Sequence, residues 1–147
     1  MRLKKNRDYN TTDYGPLKIS DLKTMADYWL RKYLLSKANR QGNKIFCPIK
    51  NRYYPEDKIQ VAHFYDRNIN CLRYSLDNCN LISAQSNMWD AQIPDREFKS
   101  KHHKEYYQYL AREKGDKFLA NLLQESQSIC IFTRSDYVNI IEKFRNG

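Results

Sequence analysis

Between Gln60 and Asp90 the chain reads QVAHFYDRNINCLRYSLDNCNLISAQSNMWD, and His63, Asn78 and Asn87 within it are of the types that phosphate chemistry uses. A histidine can take a proton from water, because its ordinary pKa lies near neutrality. An asparagine in a loop can pin the backbone by side-chain hydrogen bonds and keep a neighbouring ring aimed. An asparagine on a helix offers an amide oxygen that suits a hard cation such as magnesium or manganese. Together they would hold a divalent ion against a phosphate, with the ion stabilising charge on the scissile group. A plainer reading is equally open to the residue types. In it His63 is a half-buried histidine bonded to backbone, and the two asparagines are turn and cap residues. Spacing alone does not decide between them.

The elements that must position these residues follow from the surrounding pattern. Residues 1–16 carry charge, Asn, Thr, Gly15 and Pro16, and read as a flexible basic lead-in to a single domain over 17–147. Ser20 reads as an N-cap, with Leu22, Met25, Ala26, Trp29, Leu30, Tyr33 and Leu34 on one helical stripe behind it. The run Asn39 to Asn43, with Gly42, ends that helix. KIFCPI and KIQVAHF read as two strands joined by an NRYYPED turn, where Pro55 favours the bend. Residues 65–76 read as irregular loop, Asn80 to Ser83 as a short extended piece, and Ala84 to Gln92 as a short helix. Helices are predicted over Lys101 to Lys114, stopping at Gly115, over Asp116 to Gln127, and over Ser135 to Phe144. The fold class is therefore α+β.

Composition narrows the partners. At 147 residues the chain suits one domain with a modest core, and it holds no apolar run that would span a bilayer and no signal peptide. A cytoplasmic location is the default expectation. Lys and Arg number 26 against 17 Asp and Glu, a net charge of +9 that draws the chain to polyanions. Twelve tyrosines add faces on which bases could stack, although most are expected in packing. Cys47, Cys71, Cys79 and Cys130 form no C-x-x-C pair, so they are expected to be reduced and partly buried rather than zinc-bound. His102 and His103, adjacent on a predicted helix, point about a quarter turn apart and read as part of a basic face.

The order of several short runs resembles the phage NinG (Rap) recombination endonuclease family, a branch of the HNH nucleases with a ββα-metal core. The runs are Ala62-His63-Phe64, Leu72-Arg73-Tyr74, Asp77-Asn78-Cys79-Asn80 and Ser83-Ala84-Gln85-Ser86-Asn87. Flanking helices similar in character extend the resemblance over roughly Leu17 to Gln127, which leaves the last helix without a counterpart. The resemblance implies an HNH-like core flanked by helices, with His63 as general base and Asn78 as the loop-ordering residue. It also implies Asn87 as a metal ligand on the short helix, with Mg²⁺ or Mn²⁺ as the ion. Arg73 falls on the family's arginine, facing a phosphate or forming a surface salt bridge. Arg67, Lys101 and Lys104 are further candidates for contacting DNA.

The departures are specific. Cys47-Pro48-Ile49-Lys50 stands where the family has its first cysteine pair, and Ser83 and Ser86 stand where it has the second. A structural zinc is therefore not expected, and apolar packing from Pro48, Ile49, Met88 and Trp89 is expected in its place. Ala62 precedes the histidine, where many HNH enzymes carry a further ligand, so Asp66, with Asp77 as the other candidate, is expected to complete the metal site. The expected function is metal-dependent hydrolysis of DNA phosphodiesters, with branched or single-stranded recombination intermediates as substrates, in the cytoplasm of an infected or prophage-carrying bacterium. The two-fold character of a DNA junction would suit a homodimer. The alternative is a non-catalytic DNA- or junction-binding protein on a degenerate HNH fold.

Overall fold

The computed structural model describes residues 8–87 and 101–147, without the side chains of Lys101 and His102. The fold is α+β, with five α-helices and two small antiparallel sheets among the described residues. It forms two units: one spans Leu34–Ile131, and the other joins residues 8–33 to Phe132–Gly147. No described helix is long and apolar enough to cross a membrane.

The unit made from the two chain ends rests on helix α1 (Ile19–Lys37) and helix α5 (Arg134–Asn146). The stripe predicted on α1 buries Leu22, Met25, Ala26 and Leu30. Its start differs from the expectation, because Asp21 Oδ2 reaches back to accept from the Lys18 N–H at 3.1 Å and the helix begins at Ile19. Ser20 thus lies inside the first turn, where its carbonyl accepts from Thr24 Oγ1. Helix α5 begins at a reciprocal cap. Thr133 Oγ1 accepts from the Asp136 N–H at 3.2 Å, and Asp136 Oδ2 accepts from the Thr133 N–H at 2.7 Å. The face of α5 that buries Tyr137, Ile141 and Phe144 sets the Phe144 ring 5.4 Å from that of Tyr33 on α1.

The described part of the basic lead-in is held by its carbonyls. Arg145 donates to the carbonyls of Thr11 at 2.9 Å and Tyr9 at 2.8 Å, and Trp29 Nε1 adds a bond to Tyr9 at 2.9 Å. Arg134 donates to Leu17, Tyr14 and Gly15. Guanidinium groups suit this task, since their fixed fork of donors can serve several carbonyls at once.

In the Leu34–Ile131 unit, strands β1 (Arg40–Gln41), β2 (Lys44–Cys47) and β3 (Arg52–Pro55) form one antiparallel sheet. The predicted pairing of KIFC with KIQVAH is corrected here. β2 pairs with β3 instead, Ile45 opposite Tyr54 and Cys47 opposite Arg52, so the segment read as a turn is a strand. The bend falls earlier, over residues 48–51, where Asn51 takes a φ of 55° that asparagine tolerates better than most residues.

The second sheet is the hairpin of β4 (Ile59–His63) and β5 (Cys79–Ser83), in register from Ile59 opposite Ser83 to His63 opposite Cys79. The long connection between them, predicted as irregular throughout, contains one helical turn, α2 (Asn70–Arg73). After β5 a 3-10 turn, Gln85–Asn87, opens the segment predicted as a short helix; 88–92, with Met88 and Trp89, lie outside the described residues.

Helices α3 (Lys101–Lys114) and α4 (Asp116–Ser126) follow, meeting at Gly115, whose φ of 87° is one that glycine adopts without strain. Ile45, Ile59, Leu72, Ile82, Leu110 and Leu122 are fully buried in a common core, which draws on both sheets and on α2, α3 and α4.

Candidate active site at the end of the hairpin

His63 is the last residue of β4 and is half-buried. Its Nε2 lies 2.9 Å from the Arg73 carbonyl oxygen. A carbonyl can only accept, so Nε2 carries the proton and, in the neutral ring, Nδ1 is the basic nitrogen. The backbone of α2 thereby sets both the tautomer and the direction of the ring. Cys79 Sγ also approaches the Arg73 carbonyl, at 3.4 Å, from the strand position opposite His63.

Asn78 closes the neck of the connection. It is fully buried, and its Oδ1 accepts from the Tyr65 N–H at 2.8 Å. Its Nδ2 donates to the Tyr65 carbonyl at 3.0 Å and to the Leu72 carbonyl at 3.2 Å, while its own carbonyl accepts from the Phe64 N–H at 2.9 Å. One side chain thus ties the residues just after His63 to the helical turn whose next carbonyl holds His63.

The remaining predicted residues lie as follows. Asn87 sits in the 3-10 turn after β5, and its Nδ2 donates to Gln60 Oε1 at 3.0 Å. Gln60 lies three residues before His63, about 10 Å along the strand, and alternation turns it to the opposite face. Asp66 Oδ1 accepts from the Asn68 N–H at 2.9 Å, a local turn bond, and Asp77 is exposed in the 3-10 turn before β5. The geometry therefore brings His63 and Asn78 together around α2 and leaves Asn87 and Asp66 in bonds of their own. Among the described residues no three of His, Cys, Asp and Glu converge as a metal site. Among the described residues, the predicted donors for a hard cation are the Asn87 amide oxygen and the Asp66 carboxylate.

Arg73 is 6% exposed, with Nη1 donating to the Arg67 carbonyl at 3.3 Å and the guanidinium over the Tyr74 ring. Arg67 and Lys104 are exposed, and the Lys101 side chain lies outside the description.

Two features had no counterpart in the sequence reading. His103, expected on a basic face, is half-buried, with its ring stacked on Phe64 at 4.7 Å and its Nε2 2.9 Å from the Phe64 carbonyl. It braces the residue that follows His63. The other is a disulfide between Cys71, on α2, and Cys130. Four reduced cysteines were expected; Cys47 and Cys79 are free and buried, while Cys71 and Cys130 are bonded, because the fold brings their Cα atoms to 5.1 Å.

The aromatic groups behind the hairpin are held neutral. Burial pushes the Tyr106 hydroxyl well above the usual tyrosine range, although the hydrogen bond from Asn80 Nδ2, at 2.6 Å, acts the other way. Burial also raises Tyr65, and the nearby Tyr107 raises it further.

Cys47, Ser83 and Ser86 meet in one buried cluster. Ser83 N–H donates to Cys47 Sγ at 3.2 Å, and the Ser83 and Ser86 hydroxyls are 3.0 Å apart, all three residues being buried. Lys50 pairs with Glu105 at 3.3 Å. Comparison with known proteins finds no matching family model, curated protein or solved structure.

Proposed function

We propose that the chain is a metal-dependent DNA endonuclease built on an HNH-like ββα core, with His63 as general base. The observation that carries this reading is the bond between His63 Nε2 and the Arg73 carbonyl, on a turn braced by Asn78. In this reading Nδ1 takes a proton from water, the water oxygen bonds to phosphorus, and the P–O bond to the leaving oxygen breaks. A bound Mg²⁺ or Mn²⁺ would supply charge stabilisation at the phosphate. Arg67 and Lys104 are the exposed cations offered to the DNA backbone, and the net charge of +9 accounts for affinity that falls steeply with salt. The meeting of Cys47, Ser83 and Ser86 supports the same reading, since a small hydrogen-bonded cluster stands where the resembled family carries cysteines.

A second reading, a non-catalytic DNA- or junction-binding protein on a degenerate HNH fold, is favoured by the bond from Asn87 to Gln60 and the incomplete donor set. The test is cleavage of linear, single-stranded and branched DNA with Mg²⁺ or Mn²⁺ by the wild type and by His63→Ala. Cutting by the wild type that vanishes in the variant is the expected result. Branched DNA bound equally by both proteins, with no cutting by either, would establish the second reading.

A further inference from the structure

The geometry points to a thiol–disulfide exchange site at Cys71 and Cys130 that controls the aim of His63 by holding or releasing α2. The activity arm of this inference rests on the reading of His63 as a general base; its structural arm does not.

Cys71 lies between Asn70 and Leu72 on a helix of four residues. A single turn has little stability of its own, so its position is set by what ties it down. Its ties include the buried Leu72 and Arg73 side chains, the bond from Asn78 to the Leu72 carbonyl, the bond from Asn70 to the Cys130 carbonyl, and one covalent link, the disulfide to Cys130. The next carbonyl, that of Arg73, is the partner of His63 Nε2. The disulfide is therefore two residues from the group that orients the base.

The far side of the bridge is built to let go. Cys130 is flanked by Ile129 and Ile131, which are 90% and 85% exposed. Two large apolar side chains that bury almost nothing anchor their segment poorly, which leaves the disulfide as its covalent hold. A hydrogen bond from Asn70 Nδ2 to the Cys130 carbonyl, at 3.2 Å, joins the two segments beside the bridge. Both bonded cysteines are half-buried and within reach of a small reagent, whereas Cys47 and Cys79 are 0% and 3% exposed. Exchange is thus confined to one pair.

The reactant is a dithiol. Its thiolate attacks one sulfur of the bridge, the Cys71–Cys130 bond breaks, and a mixed disulfide forms. The second thiol then displaces the protein sulfur, leaving an oxidised cyclic disulfide and two protein thiols, a transfer of two electrons and two protons. Once the bridge opens, α2 loses its covalent tie and is held by packing and hydrogen bonds alone, so the Arg73 carbonyl fixes the imidazole less firmly.

The test uses the full chain, oxidised and after dithiothreitol, with Cys130→Ser as a permanent mimic of the open state. Thiol titration of the native protein should give no reactive thiol when oxidised and two after reduction. Reduction should shift the imidazole ¹⁵N resonances of His63 and speed amide exchange at Leu72 and Arg73, and Cys130→Ser should show the same state with or without dithiothreitol. Metal-dependent cutting should fall by about tenfold on reduction, the scale on which loss of a supporting contact is felt. Absence of cutting in the oxidised protein refutes the nuclease reading and leaves the resonance and exchange measurements to judge the switch. Unchanged His63 resonances on reduction, four free thiols in oxidised protein, or global unfolding of the reduced chain would each overturn it.

Discussion

Asn78 can be removed in two ways that separate its donors from its acceptor. Asn78→Ala deletes three hydrogen bonds at a site with no exposure, leaving the Tyr65 N–H and the carbonyls of Tyr65 and Leu72 without that partner. Each such bond contributes about 1 kcal/mol net, so the expected loss is about 3 kcal/mol. Asn78→Asp has nearly the same shape and keeps the bond to the Tyr65 N–H. It sets a carboxylate oxygen where the amide nitrogen stood, 3.0 and 3.2 Å from two carbonyl oxygens.

A buried carboxylate facing two acceptors is unfavourable, whereas a protonated carboxyl can donate to one of them. The folded-state pKa of the new aspartate is therefore raised above the ordinary value of about 3.9. By linkage, the penalty is fully present above that raised pKa and shrinks as the pH falls through it. Urea denaturation at neutral and mildly acidic pH, each variant against wild type, checks both claims. Asn78→Ala should show the same deficit at both values, and Asn78→Asp should recover toward wild type in acid. Faster amide exchange at Tyr65 should accompany Asn78→Ala, which removes the acceptor, more than Asn78→Asp, which keeps it. An Asn78→Ala protein within about 0.5 kcal/mol of wild type, the range of ordinary surface changes, would refute the bracing role.

Two further outcomes follow from groups outside the hairpin. Tyr14 donates to the Glu142 carboxylate; that bond, the largest cause, lowers the Glu142 pKa, while burial first and then Glu142 push Tyr14 up to about 12. The depressed carboxyl stabilises above its ordinary range and ceases to do so as the pH falls through its folded value. The raised phenol stabilises below pH ~10 and ceases to do so as the pH climbs through its folded value; Tyr14→Phe should flatten melting temperature against pH at both ends. Lys50→Cys, Ser83→Cys and Ser86→Cys together with native Cys47 should create a one-zinc site, measured by zinc content after dialysis, because the three serine and cysteine positions already touch. A triple variant that retains no zinc would sink the correspondence with the resembled cysteine pairs.

How much was legible in the sequence varied with the kind of signal. Helix α3 ran over its predicted span because a continuous helical pattern met Gly115, the residue best suited to the φ found there. The start of α5 was misplaced by a residue because the sequence reading did not use the reciprocal pair of Thr133 and Asp136. Strand β3 was read as a turn because Pro55 and its charged neighbours resemble one, whereas Asn51 takes the bend and Tyr53 and Tyr54 place half-buried rings on its two faces. At the site, residue types and order suggested His63 and Asn78, and Asn78 bonds to Tyr65 and Leu72. The partner that aims His63 was hidden, since a backbone carbonyl leaves no mark in a sequence. Cys71 and Cys130 are 59 residues apart, and four cysteines allow three pairings, so only the fold could match them.

The unit assembled from both chain ends bears on the order of events at the ribosome. Residues 8–33 emerge early with Leu22, Met25, Ala26 and Leu30 ready to be buried, yet Phe132–Gly147 is made about a hundred residues later. At the usual 5–20 residues per second that interval is roughly 5–20 s, during which Leu34–Ile131 can fold while the apolar side of α1 waits. Throughout that interval the nascent chain carries an amphipathic helix whose apolar side waits for α5.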